Sequence, residues 1–210
     1  MTKSAKTLAL FVLAMGAVVA LSNVLVQYPV AVAFGAIDLS EILTWAAFTY
    51  PIAFFVTDLA NRRLGPMGAR RVVFVGFAVA VALSVWLATP RIAIASGTAF
   101  LAAQLLDVSV FDRLRHGAWW RAPLVSSALG SVVDTLLFFA LAFAPMFGAL
   151  HFGGADESLG FGVPLLSIGP VVPLWVSLAV GDLIVKALVA LALLGPYGIL
   201  RGRDASVAPA

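Results

Sequence analysis

The feature that most constrains this chain is an alternation. Apolar runs long enough to cross a bilayer are separated by short gaps, and basic residues cluster in every second gap. From Thr7 to Ile37 no residue is charged. A helix crossing the hydrocarbon core needs about 20 mostly apolar residues. Six such runs predict spans at 7–28, 40–61, 72–89, 92–111, 123–144 and 172–194. The expected fold is an all-α, six-transmembrane-helix bundle, a single integral membrane domain over residues 1–210. Composition agrees, with 62% hydrophobic and 11% charged residues, where a soluble domain carries about a quarter charged. Lys3 and Lys6 ahead of the first apolar run resemble a secretory signal. No small-x-small site closes that run and five more follow, so a retained first helix is expected.

The charges predict an orientation. Short cytoplasmic loops are enriched in Lys and Arg. Lys3 and Lys6, then Arg62, Arg63, Arg70 and Arg71, then Arg113, Arg115 and Arg121, then Arg201 and Arg203 all fall on one side. The other side has Arg91 alone, and Lys186 lies inside the sixth run. Both ends of the chain are therefore expected in the cytoplasm. Aromatic residues give an independent signal, since Trp and Tyr gather at bilayer interfaces. Tyr28, Trp45, Trp86 and Trp175 fall near expected outer helix ends, and Trp119, Trp120 and Tyr197 near inner ones. Pro123 is expected to open the fifth helix, where its missing N–H costs nothing. The outer segment 145–171 has six glycines and three prolines and reads as a flexible loop, with a lid or re-entrant stretch as the alternative. Gly76, Gly130 and similar small residues would allow close helix approach.

Several chemistries are set aside. The basic residues are scattered between apolar runs, which does not suit nucleic acid. Cysteine is absent, and the two histidines, His116 and His151, fall in expected loops, so neither a metal nor a cofactor is expected. No G-x-x-x-x-G-K-[ST] occurs, which removes a P-loop. No G-x-S-x-G occurs with a membrane histidine, which argues against a serine-type membrane hydrolase.

Function must then lie in polar groups that insertion penalises, by about 2.5–3.5 kcal/mol for a central charge. The candidates are Asn23 and Gln27, Asp58 and Asn61, Ser96, Gln104 and Asp107, Ser126, Ser127, Ser131 and Asp134, and Asp182 with Lys186. Gln104 and Asp107 share a helix face, as do Ser127, Ser131 and Asp134. Asp58 and Asp107, near the arginine-rich gaps, read equally as bridges to Arg62, Arg63 or Arg70 and as substrate contacts. Asp182 and Lys186, four apart, read as a neutralised packing pair. Asp134 has no basic partner in its own helix and reads as a functional carboxylate, with a cross-helix pair to Lys186 as the structural rival. A two-aspartate membrane protease built on Asp134 and Asp182 is the enzyme alternative. Its expected Gly-x-Gly-Asp is Ala179-Val180-Gly181-Asp182 here, Val133 stands where a tyrosine would, and Lys186 would disturb a shared proton.

One order of motifs resembles a known family. Thr49-Tyr50-Pro51, Thr57-Asp58, Asn61, Gly65 and Ala69-Arg70 are followed by Arg91 to Ser96, Ala99-Phe100, Gln104, Asp107 and Phe111. Then come Trp120, Ser126-Ser127, Gly130-Ser131, Val133-Asp134-Thr135 and Phe138-Phe139. Ser22-Asn23 and Lys186 also fit. Over about residues 20–190 this order is similar to the queuosine-precursor transporters, also called vitamin uptake transporters. The resemblance implies plasma-membrane uptake of 7-cyano-7-deazaguanine or 7-aminomethyl-7-deazaguanine, and no enzyme activity. Asn23, Ser96, Gln104, Asp107, Ser127, Asp134 and Phe138 are the expected substrate contacts, and Asp58, Arg62, Asp182 and Lys186 the expected gating or ion-pair residues. The expected partners are the deazapurine and the lipid bilayer, with a homo-oligomer left open. A substrate-binding subunit of an energy-coupling-factor transporter is the competing transport reading.

Overall fold

A computed structural model describes residues 3–35, 37–152 and 156–205. Five helices dominate: α1 (Lys3–Leu25), α2 (Ala46–Leu87), α3 (Pro90–Leu114), α4 (Arg121–Phe143) and α5 (Leu174–Ala205). All five are long and apolar enough to cross a membrane. The side chains of Lys3 and Arg203, counted above for orientation, lie outside the described set.

The expected second and third spans run together in α2, whose 42 residues are broken by non-helical backbone at Gly65, φ 70° and ψ 178°. Positive φ is cheap only for glycine, and Pro66 then starts the second arm without wasting a donor. The arginines on either side are good helix formers, so the expected loop at 62–71 shrinks to this one turn. The two arms double back on each other. Ser22 on α1 bonds Thr49 at 2.8 Å, while its neighbour Asn23 accepts from Ser84 at 3.4 Å. In a straight helix Thr49 and Ser84 would lie about 50 Å apart.

Other boundaries shift modestly. The expected start of the second span at 40 moves to Ala46, because residues 39–41 form a 3-10 turn. Helix α4 opens at Arg121, two residues before Pro123, and α5 continues through Pro196 to Ala205. Two short antiparallel hairpins sit at one end of the bundle. One pairs β1 (Ala33–Phe34) with β2 (Ile37–Asp38), and the other pairs β3 (Gly162–Pro164) with β4 (Val171–Pro173). The segment expected as a flexible loop is thus a 3-10 turn over Pro145–His151 followed by a hairpin, with Gly153, Gly154 and Ala155 outside the described residues.

Buried Phe11, Met15, Val19, Val72, Val73, Phe100, Val108 and Phe111 form the main core between α1, both arms of α2, and α3. Helix α4 comes close to the first arm of α2 at Gly130, where a Cβ would stand 2.6 Å from the Phe54 ring.

At the arginine-rich end the helices are tied through backbone carbonyls. Arg62 donates to Arg115 O at 2.8 Å, and Arg115 donates to Arg62 O at 3.4 Å. Arg201 lies over the Trp119 ring, and Phe111 meets Tyr197 edge-on.

At the opposite end, Arg91 is fully buried. It donates to Leu141 O at 2.9 Å and Ala144 O at 2.7 Å, at the C-terminus of α4. It also reaches Ser158 and Asp156, at 3.0 and 3.4 Å. The second hairpin segment is pinned by this clamp.

Candidate functional site

Polar side chains that insertion disfavours are gathered in two layers. The upper layer lines a cavity of about 480 Å³ at the end away from the arginine clusters. Its floor is a charged triad. Lys186 Nζ stands 2.7 Å from Asp134 Oδ2 and 2.6 Å from Asp182 Oδ2. Thr135 completes it, accepting from Lys186 at 3.0 Å and donating to Asp182 at 2.7 Å. Asp182 and Lys186 are one turn apart on α5, while Asp134 and Thr135 come from α4, so the triad joins the two helices. One ammonium faces two carboxylates, both engaged through Oδ2. Both residues line the cavity, and a carboxylate's second oxygen is a further acceptor.

The walls are aromatic and weakly polar. Phe138, Phe139 and Phe143 line one side, with ring centroids 5.1 to 6.0 Å apart. Tyr50 contributes from α2, and Asn23, Ser84 and Ser96 from α1, α2 and α3. Asn23 is half committed, donating to Val19 O at 2.9 Å and accepting from Ser84. The rim is formed by Gln27 and by Ser40 to Thr44, the stretch that the early end of the expected second span had placed in a helix. Outside the spans, Asp38 anchors that rim by accepting from Ser40 N at 2.9 Å. The bond to Ser40 holds the Asp38 carboxyl below its usual value.

The lower layer lies between this floor and the arginine-rich end. Thr57 donates to Gln104 at 2.6 Å, and Asn61 to Val108 O at 2.9 Å. Ser126 and Ser127 donate to the two oxygens of Asp58, at 3.1 and 3.2 Å. The Asp107 carboxyl is fully buried at the level of the Gln104 and Val108 contacts, and neither of its oxygens has a hydrogen-bond partner.

Among the expected substrate contacts, Asn23, Ser96, Asp134 and Phe138 share the cavity. Gln104, Asp107 and Ser127 do not line it and belong to the lower layer. Among the expected ion-pair residues, Asp182 and Lys186 pair as the i, i+4 spacing implies. Asp58 does not pair with Arg62, because it turns towards the α4 serines while Arg62 caps the end of α3. Asp134 does find a partner, the Lys186 of the rival reading. With that ammonium between Asp134 and Asp182, the two carboxylates do not face each other as a protease pair would.

Sequence reasoning left out Tyr50, Ser84 and Glu41, all of which line the cavity. Tyr50 was visible within Thr49-Tyr50-Pro51, whereas Ser84 and Glu41 had no signal beyond polarity. Arg91 read as a lone outer charge, and nothing local indicated its burial.

Comparison with known proteins adds the family. The family model described as "Putative vitamin uptake transporter" matches residues 44–89 and 82–200. The "Queuosine precursor transporter" of Escherichia coli is 39% identical over 147 residues, covering 60% of this chain and 64% of the relative. The "Probable queuosine precursor transporter" of Haemophilus influenzae is 38% identical over 153 residues, 60% of this chain and 65% of the relative. That of Bacillus subtilis is 28% identical over 150 residues, 57% and 66%. The chain thus spans just under two thirds of the length of the curated relatives it matches. No solved structure matches. The matched stretch takes in α2 to α5, the cavity floor and the lower layer, and the chain belongs to the vitamin uptake transporter family, as a multi-pass protein of the bacterial inner membrane.

Proposed function

We propose that this protein imports queuosine precursors, 7-cyano-7-deazaguanine and 7-aminomethyl-7-deazaguanine, across the plasma membrane. The observation that carries the reading is the cavity: about 480 Å³, with phenylalanine walls and a carboxylate-bearing floor. That volume suits a small-molecule site. A deazaguanine presents N–H donors beside a carbonyl acceptor on one edge of a flat ring. The free oxygens of Asp134 or Asp182 would accept the donors, and the amide of Asn23 can serve either kind of group. Phe138 would cover the ring face, while Ser96 adds a hydroxyl from the facing helix.

With the two arms of α2 taken as separate crossings the chain would cross six times, which puts both ends on one side, in this reading the cytoplasm. The clustering of basic residues at one end supports this orientation, which makes the cavity outward-facing. The Arg62 and Arg115 bonds and the Phe111–Tyr197 contact then form the inner seal. Transport requires that seal to open and the cavity to close above the substrate. The triad across α4 and α5 is placed to sense that movement, because substrate donors compete with Lys186 for the same carboxylates. The test is uptake of labelled precursor by this protein expressed alone in a host without an energy-coupling-factor ATPase. Uptake there supports a solitary carrier, whereas dependence on added ATPase module assigns the chain as a binding subunit.

A further inference from the structure

We propose that the Asp58–Asp107 carboxyl pair binds the proton whose entry drives uptake, an inference that rests on the transport reading above. Asp107 is fully buried, and neither of its oxygens has a hydrogen-bond donor. Asp58, 2% exposed, accepts one bond on each oxygen, from Ser126 and Ser127, and keeps further acceptor capacity. The two residues, one on α2 and one on α3, lie at one level of adjacent helices, because the Thr57–Gln104 and Asn61–Val108 bonds set that register on either side of them. A carboxylate only accepts. Two buried carboxyl groups at one level with no cation between them cannot both stay charged away from water, and a proton on one of them removes the conflict.

The surroundings supply no substitute for that proton. On α2, Arg62 is one turn further on and is committed to the Arg115 carbonyl. On α3, Gln104 is engaged with Thr57. Helix α4 offers the two serine hydroxyls, and α5 offers the Tyr197 phenol, which shares a small recess with Asp58. Among the described residues neither carboxyl has an ion-pair partner. Asn61 Oδ1, also without a donor, adds one more acceptor nearby. Sodium is therefore the competing occupant, and the gradient measurement below separates the two.

A route to the pair is also present. Ser131 Oγ is buried without a partner. It lies four residues from Ser127, which touches Asp58, and three from Asp134 in the cavity floor, on the same face of α4. A hydroxyl both donates and accepts, so Ser131 can pass a proton between the cavity and the pair. The proton enters from the outward cavity, resides between Asp107 and Asp58, and leaves when the inner seal opens.

Two measurements on the reconstituted full chain test this. Infrared spectra at neutral pH should show a protonated-carboxyl band that disappears in Asp107→Asn and in Asp58→Asn. Absence of the band in the wild-type protein, or its survival in both variants, overturns the proposal whatever the substrate. In liposomes, a gradient of one pH unit should drive about tenfold accumulation of 7-cyano-7-deazaguanine for one proton carried per molecule. Asp107→Asn should lose that accumulation. Accumulation that follows a sodium gradient and ignores pH would overturn the proposal and assign the site to sodium. A band without any precursor movement would reject the transport reading, and the coupling role with it.

Discussion

Lys186 Nζ stands 2.7 Å from Asp134 Oδ2, tying α5 to α4 at the floor of the cavity. Both groups are nearly removed from solvent, with side chains 4% and 13% exposed. Breaking a buried pair by removing one partner leaves an uncompensated charge and costs about 3–5 kcal/mol, whereas removing both costs far less. Lys186→Met should therefore lower the melting temperature of the detergent-solubilised protein sharply. Adding Asp134→Asn should recover part of the loss, while uptake stays absent in both. A single variant as stable as the wild type would show that the pair does not hold the floor together.

Phe138 offers a cleaner test of substrate contact, because it meets the cavity wall rather than the ion pairs. An aromatic contact is worth about 0.5–1.5 kcal/mol beyond its area. Phe138→Ala should raise the KM for precursor uptake by about 2- to 12-fold, with protein levels in the membrane preserved. An unchanged KM would remove Phe138 from the site.

The clamp at Arg91 predicts a structural phenotype and a pH dependence. Arg91→Lys keeps the charge but cannot span the Leu141 and Ala144 carbonyls together with Ser158. Thermal stability should fall, and protease should cut more readily between Pro145 and Pro173. The bonds from Ser158 hold the exposed Asp156 carboxyl below its usual value. Its contribution is therefore complete above the unfolded value and is lost only as pH falls through the lower folded one. Asp156→Asn should remove that small acid-limb dependence, read as melting temperature against pH, through a slight loss at neutral pH and none in acid where the contribution is already gone. A loss on the alkaline side would contradict this assignment.

Topology is open to labelling, because the chain has no native cysteine. Single cysteines replacing the exposed Met146 and Ile168 should react with an impermeant thiol reagent in intact cells. Cysteines replacing the exposed Met67 and His116 should react only after lysis. Labelling of the position-67 variant from outside would invert the orientation drawn from the arginines.

Much of this architecture was legible in the chain, for reasons that differ by element. The bodies of α1, α3, α4 and α5 follow from apolar length alone, which is the strongest signal a membrane imposes. The tight reversal in α2 was not, since the arginines around Gly65 read as a loop but are good helix formers. Its place in an apolar run marked Asp134 as an acid that insertion penalises, but such a place says nothing about neighbours. Its partner became visible only once α4 and α5 were side by side. Gln104 and Asp107 share a helix face as their spacing requires. That face turns to the first arm of α2 rather than to the cavity, a tertiary choice that i, i+3 spacing cannot encode. The burial of Arg91 depends on where the carbonyls ending α4 arrive, fifty residues later in the chain.

The most direct measurement is queuosine in tRNA from a bacterial strain lacking both its own importer and precursor synthesis. Such a strain would express this protein and be fed 7-cyano-7-deazaguanine or 7-aminomethyl-7-deazaguanine separately at limiting concentration. Queuosine should return with at least one precursor, and Asp134→Asn, present at normal membrane levels, should fail to restore it. No queuosine with either precursor, despite wild-type protein in the membrane, would contradict the assignment of this cavity to 7-deazapurine uptake.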